Sequence, residues 1–303
     1  MKILVTGGAG FIGSHLVASL ASANEVWVLD NLSSGKMKNL EGTGAHLVAG
    51  SILDDNAFDH LPERVDLVFH LAAMTSVAES MAKPCECVEI NTIGTLNVLE
   101  WARKGRAKKF VFASSAAVYG SGLELPKREG MKPEPQSPYA VSKLDGEFYC
   151  DIFSQGTDLA TVCLRFFNVF GPRQSANSAY AAAVPIFFEQ ALLGREIVIH
   201  GDGAQTRDFI AVDDVVSAMK YVAYCDKARG VYNVGYGGNL SINDLVDKIK
   251  MLIGSKSPVR HENDRPGDVK HSVAAVDRLR SLGFVCEGTL DSGLMRLAEF
   301  YRS

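Results

Sequence analysis

The stretch KILVTGGAGFIG, residues 2–13, decides the fold. It opens with an apolar run, Ile3 to Val5, that has no polar face and therefore suits a strand buried on both sides. Gly7, Gly10 and Gly13 follow at even spacing, with Phe11 and Ile12 between the last two, and an apolar helical pattern continues from there. A strand, a glycine turn and a helix start make a backbone cradle. The glycines let the main chain approach a ligand, and the helix start offers free N–H groups and a positive dipole end to a diphosphate. Ordinary tight turns also use glycine, so the motif needs a second sign. Asp30 provides it, closing the next strand-like run, EVWVLD (25–30), with Asn31 after it. A carboxylate at that place accepts both hydroxyls of an adenosine ribose and repels a 2′-phosphate, which points to NAD rather than NADP.

The pattern repeats along the first half. Strands are expected at 2–6, 25–30, 46–50, 66–72, 109–115 and 159–166, with helices near 11–22, 84–104 and 138–155. Strands apolar on both faces and spaced by helices predict an α/β, doubly wound parallel sheet of Rossmann-like type with right-handed crossovers. Beyond residue 168 the alternation loosens, with helices expected near 179–194, 213–225, 241–253 and 289–301. The expected division is a nucleotide-binding domain over 1–167 and a smaller C-terminal α/β substrate lobe over 168–303. Segments near 206–236 are expected to return to the first domain.

Composition narrows the function. A net charge of −4 over 303 residues leaves no electrostatic footprint for nucleic acid or an anionic membrane. The six cysteines show no zinc spacing, Cys85 and Cys87 forming a lone CxC, so no metal site is expected. Cys150, Cys163 and Cys225 lie in apolar runs, as small core residues of a reducing compartment do. The N-terminus superficially resembles a secretory signal, yet glycines at 7, 8, 10 and 13 interrupt its apolar run. No run approaches the ~20 residues that cross a bilayer. The expectation is a cytoplasmic protein.

PYAVSK, residues 138–143, carries the chemistry. Ser137 can cap a helix that Pro138 begins, and at ~100° per residue Tyr139 and Lys143 then share a face. Taken alone, that pairing also fits an amphipathic helix with a solvated lysine. Together with Ser115 at the end of the strand 109–115, it resembles the Ser–Tyr–Lys set of the extended short-chain dehydrogenase/reductase superfamily. Within it the chain resembles UDP-sugar 4-epimerases of the UDP-galactose 4-epimerase type. The matching stretches are TGGAGFIG, DNLSSG, HLAAMTSV, NTIGTLNVLE, SSAAVYG, PYAVSK, LRFFNVFGPRQ, GDGAQTRDF and RPGD, from residue 6 to 268.

What the resemblance implies is specific. Tyr139 acts as base, Ser115 hydrogen-bonds the sugar hydroxyl, and Lys143 supports the phenolate and reaches the nicotinamide ribose. A free phenol has a pKa of about 10, and bringing it near neutrality takes about 4 kcal/mol of preferential phenolate stabilisation. Lys143 and an oxidised nicotinamide are expected to supply it. The implied reaction oxidises and then reduces C4 of a UDP-hexose through a 4-keto sugar, with NAD tightly bound and regenerated. Leu71, Ala72, Ala73, Asn91, Ile52 and Phe166 match residues around the cofactor, whereas His70 is read as simply ending its strand. Ser51 departs from the family, standing where an acid near the adenine is common.

On the substrate side, Arg207 and Arg265 match pyrophosphate-binding arginines, Asn168 the asparagine at the diphosphate, and Asp268 the carboxylate on the uridine ribose. His200 occupies a position that can stack on uracil. Ser272, seven positions after Arg265, matches a gatekeeper beside the sugar C2 substituent. A small residue there implies room for UDP-GlcNAc and UDP-GalNAc beside UDP-glucose and UDP-galactose. Dehydratases and decarboxylases on this scaffold need an acid after the serine, where this chain has Ala116 and Ala117, which transfer no protons. A net dehydrogenase would accumulate reduced cofactor. A non-catalytic dinucleotide sensor would keep the glycine turn and Asp30 without needing Ser115, Tyr139 and Lys143. The helices at 84–104 and 138–155 carry Ile93, Leu96, Leu99, Trp101, Phe148 and Ile152, more apolar residues than one buried face needs, and family members dimerise there.

Overall fold

The computed structural model describes residues 1–175, 183–263 and 270–302. A seven-stranded parallel sheet organises it, built from β1 (Lys2–Thr6), β2 (Glu25–Asp30), β3 (His46–Ala49), β4 (Leu67–His70), β5 (Lys109–Ser115), β6 (Ala160–Phe166) and β7 (Gly230–Val234) in the order β7-β6-β5-β4-β1-β2-β3. The order reverses between β1 and β4, the switch point at which open α/β sheets bind ligands. Consecutive side chains alternate between faces. Ile3 and Val5 therefore join the core under α1 (Phe11–Leu20) and the helix Val212–Tyr224. Leu4 joins the opposite core with Phe110 and Phe112, under α2 (Gly94–Lys104) and α3 (Pro138–Gly156).

Two elements differ from the pattern read in the sequence. β7 was not among the expected strands; a run of five residues, GVYNV, is too short for periodicity to assign. The single helix expected over 84–104 is instead Pro84–Val88, a π-helical turn Glu89–Ile93, and α2. Two contacts distort it: the Thr95 hydroxyl donates to the Asn91 carbonyl, one turn back, and the Asn91 amide is pulled sideways toward Met74 in a separate loop.

The C-terminal segments form a third apolar cluster, in which the helix Ile242–Ile253 packs Leu245, Val246 and Ile249 against Phe187 and Phe188 of Ala183–Leu192. The start expected for that last helix, near 179, lies outside the described residues. Small sheets connect these segments. The strand Thr206–Arg207 lies between Leu240–Ser241 and His271–Ser272, and Ile197–His200 pairs with Val259–Glu262. Among the described residues no helix is long and apolar enough to cross a membrane.

Candidate active site

The C-terminal ends of the sheet strands open into a cavity of about 1340 Å³ that runs on to the C-terminal segments. Its floor is the glycine turn. Gly7 adopts φ +68°, a left-handed conformation that costs glycine little. A Cβ at Gly13 would stand 2.2 Å from the Gly7 carbonyl oxygen, so the helix start and the turn touch backbone to backbone. No side chain caps α1, and Phe11, Ile12 and Gly13 in its first turn line the cavity. This is an anion cradle made of main chain. Asp30 is buried at the rim, its carboxylate accepting from the N–H groups of Ala9 (2.9 Å) and Leu32 (2.8 Å). It therefore steadies the glycine loop as well as facing the cavity.

Ser115, Tyr139 and Lys143 meet on the wall above. Ser115 ends β5, and its Oγ accepts from Ala117 N–H at 3.1 Å, which leaves the hydroxyl proton free for the Tyr139 phenol within reach. α3 brings the tyrosine there because Ser137 caps it, accepting from Ala140 N–H at 3.1 Å, and Pro138 occupies its first turn. One turn on, Lys143 donates to the Ala113 carbonyl at 2.8 Å, with its Nζ 5.9 Å from the Tyr139 ring centre. Burial pulls this lysine down to about 8.

Loss of water raises Tyr139 above the usual phenol value, and the Ser115 hydrogen bond only partly opposes it. The lysine, turned toward a carbonyl, does not offset the burial.

The cofactor half of the cavity gathers Asn31, Ser51, Ile52, Leu71, Ala72, Ala73 and Phe166. Ser51 Oγ accepts from Leu53 N–H at 3.1 Å, a local turn contact. Asn91 stands back from the wall. Its buried amide accepts from Met74 N–H and donates to Met74 O and Ser142 Oγ, so it shapes the loop that lines the cavity rather than lining it. His70 is more than a strand end. It is buried between Thr6 Oγ1 (2.7 Å) and Thr95 Oγ1 (2.9 Å), and burial holds it down to about 3, hence neutral. Because Thr95 spends its proton on Asn91, it accepts from Nε2–H, and Nδ1 accepts from Thr6.

Asn168, His200 and Arg207 line the far half. Asn168 Nδ2 donates to Asp208 O at 3.1 Å, and Arg207 Nη1 donates to the carbonyls of Thr206 (3.0 Å) and Lys270 (3.2 Å). His200 Nδ1 lies 3.7 Å from Glu262. Ser272 is not on the wall; it pairs with Arg207 across adjacent strands. Arg265 and Asp268 lie outside the described residues.

Fold and cavity together are those of the extended short-chain dehydrogenase/reductase superfamily. The chain belongs to the NAD dependent epimerase/dehydratase family, whose model matches residues 3–235. It is similar to a UDP-glucose 4-epimerase of Mycolicibacterium smegmatis, 36% identical over 100% of this chain and 99% of that one. Among solved structures it is similar to a UDP-N-acetylglucosamine 4-epimerase from Methanobrevibacter ruminantium in complex with UDP-N-acetylmuramic acid, with TM-score 0.95 and 38% identity over 99% of this chain and 98% of that one. A Thermotoga maritima UDP-glucose 4-epimerase with UDP-glucose superposes with TM-score 0.94 at 38% identity, covering 100% of this chain and 99% of that one.

The residues fit NAD. Close backbone packing at Gly13, the uncapped start of α1 and Asp30 at the rim are the parts a dinucleotide needs. Asp30→Ala is expected to narrow the preference for NAD over NADP. It should also weaken NAD about tenfold or more, since the hydrogen bond from Ala9 N–H, which ties the glycine loop to the carboxylate, is lost. Reconstitution with either cofactor checks this, and equal activity of the unaltered protein with both would remove the role.

Proposed function

We propose that the protein is a UDP-hexose 4-epimerase that interconverts UDP-glucose and UDP-galactose, and UDP-GlcNAc and UDP-GalNAc, through a transient 4-keto sugar. The observation that carries this reading is the meeting of Ser115, Tyr139 and Lys143 on the wall of one cavity with the glycine turn. Residues 1–167 hold the cofactor in this reading, and 168–303 mainly hold the sugar nucleotide.

Tyr139 takes the proton of the C4 hydroxyl, and Ser115 donates a hydrogen bond to the same oxygen as charge develops on it. NAD, when bound, supplies a hydride acceptor that returns what it takes and, in oxidised form, a positive ring. In this reading Lys143 turns from the Ala113 carbonyl, where its charge does not offset the burial of the phenol, toward Tyr139 and stabilises the phenolate. The proton then returns from Tyr139 to O4 after the sugar has turned its other face. Arg207, with Arg265, Asn168 and Asp268, keeps the UDP part in place during that turn, and His200 stacks on the base. Ala116 and Ala117 leave no acid for elimination, which favours epimerisation over dehydration.

Chromatography of products from UDP-galactose and UDP-GlcNAc tests the reading. The expected result is a mixture of C4 epimers without accumulation of reduced cofactor; a dehydrated or net oxidised product would refute it. The Ser272 assignment has its own check. In this reading a tyrosine in place of Ser272, which stands off the wall and pairs with Arg207, reaches past the arginine and overpacks the C2 side by ~1–3 kcal/mol. Ser272→Tyr is therefore expected to slow the N-acetylated substrates about tenfold or more and spare UDP-galactose. Equal slowing of both classes would sink the gatekeeper role.

A homodimer belongs to the same reading. Leu99 is spent in the core and Trp101 packs on it, but Ile93, Phe148 and Ile152 remain 46%, 57% and 61% exposed. Light scattering should give the mass of two chains, and a monomer at working concentration would overturn this.

A further inference from the structure

Behind the cavity wall lies an ion pair whose two members do not line the cavity. Arg165 on β6 and Glu147 on α3 form a two-pronged fork, with Nε to Oε1 at 2.8 Å and Nη2 to Oε2 at 2.6 Å, both side chains 4% exposed. Glu147 continues the four-residue spacing of Tyr139 and Lys143, so the three lie along one face of α3. The same carboxylate accepts from Ser114 Oγ at 2.5 Å, the residue just before Ser115. On its other side the Arg165 guanidinium stacks on Tyr119 at 4.7 Å, and Tyr119 closes the helical turn Ala116–Tyr119 that leaves Ser115. The Tyr119 hydroxyl in turn donates to Asn233 of β7 at 2.6 Å.

Burying two charges this deeply is a poor route to stability, because an apolar pair of the same size often does as well or better. What the fork does provide is direction. It grips the chain on both sides of Ser115 and ties that segment to the helix face that presents Tyr139 and Lys143.

We infer that Glu147 and Arg165 are positioning residues that hold Ser115 in register with Tyr139 and Lys143. The inference rests on the proposed roles of those three residues. The test is the double variant Glu147→Leu with Arg165→Met, which removes both charges and leaves neither one buried alone. Its melting temperature and its NAD per subunit are expected to stay near those of the unaltered protein. Its kcat on UDP-galactose is expected to fall ten- to hundredfold, the effect of roughly an ångström of misplacement, with KM within about twofold. The pH profile supplies a readout that a merely structural role would not move. The Ser115 hydrogen bond favours the Tyr139 phenolate in the free enzyme, so losing it raises the phenol and shifts the acidic limb of kcat/KM to higher pH.

A folded double variant with kcat within about twofold and an unmoved limb would overturn the inference. If the double variant does not fold, Ser114→Ala, which removes one hydrogen bond and keeps the ion pair, is judged by the same kcat and pH criteria. Tyr139→Phe run alongside separates the two failures. An active Tyr139→Phe defeats the proposed base, whereas an inactive one beside a normal double variant defeats only the positioning role.

Discussion

Tyr139→Phe is expected to lose ~10²–10⁴ in kcat while the protein stays folded and keeps its NAD, since general-base catalysis is typically worth that much. The geometry makes the substitution a clean one. Tyr139 is anchored through its backbone N–H, which donates to Ser80 Oγ at 3.2 Å, and phenylalanine keeps that bond and the ring. Only the oxygen near Ser115 disappears. Lys143→Met should be comparably slow and should also hold NAD less tightly. Rates on UDP-galactose, with the amount of bound cofactor measured on the same samples, check both. A Tyr139→Phe protein retaining more than about a tenth of the rate would take the tyrosine out of the role of base.

Gly13→Ala is expected to cost most of the bound cofactor. The added methyl would stand 2.2 Å from the Gly7 carbonyl oxygen and 2.8 Å from the Gly8 Cα, and both are main-chain atoms. Gly7 has little freedom to give way, because its own Cβ position is 2.7 Å from Ala72 N. The helix start and the turn must therefore separate, which spoils the cradle and costs at least the ~1–3 kcal/mol of ordinary overpacking. The purified variant should carry less than about a tenth of the normal NAD and melt at a lower temperature. Gly130→Ala serves as the control, since a methyl there meets nothing within 4 Å. Normal cofactor content and melting temperature in Gly13→Ala would contradict the packing argument.

Short-range information is what a sequence carries openly. KILVT reads as a strand because all its apolar residues are consecutive, and Gly7, Gly10 and Gly13 read as a turn because their spacing is local. Tyr139 and Lys143 share a face by helical geometry alone, and Ser137 and Pro138 announce where that helix begins. The Rossmann-like sheet and the dependence on NAD both follow from such neighbourhoods. The π-helical turn at Glu89–Ile93 was hidden, because it depends on the Asn91 side chain reaching Met74 and Ser142. β7 was hidden because five residues show no period until β6 lies beside them.

By itself, then, the sequence determined the strand-turn-helix cradle, the carboxylate at its rim and the helix face with a tyrosine and a lysine. Only the tertiary structure decided that Ser115 stands within reach of Tyr139, that the phenol is raised by burial, and that Lys143 is turned to the Ala113 carbonyl. It also decided the partners of Glu147, which lie 18 and 33 residues away along the chain at Arg165 and Ser114. The reason is physical. Local spacing sets which way a side chain points from its own backbone, whereas burial and the pairing of charges depend on which distant segments the folded sheet brings against it.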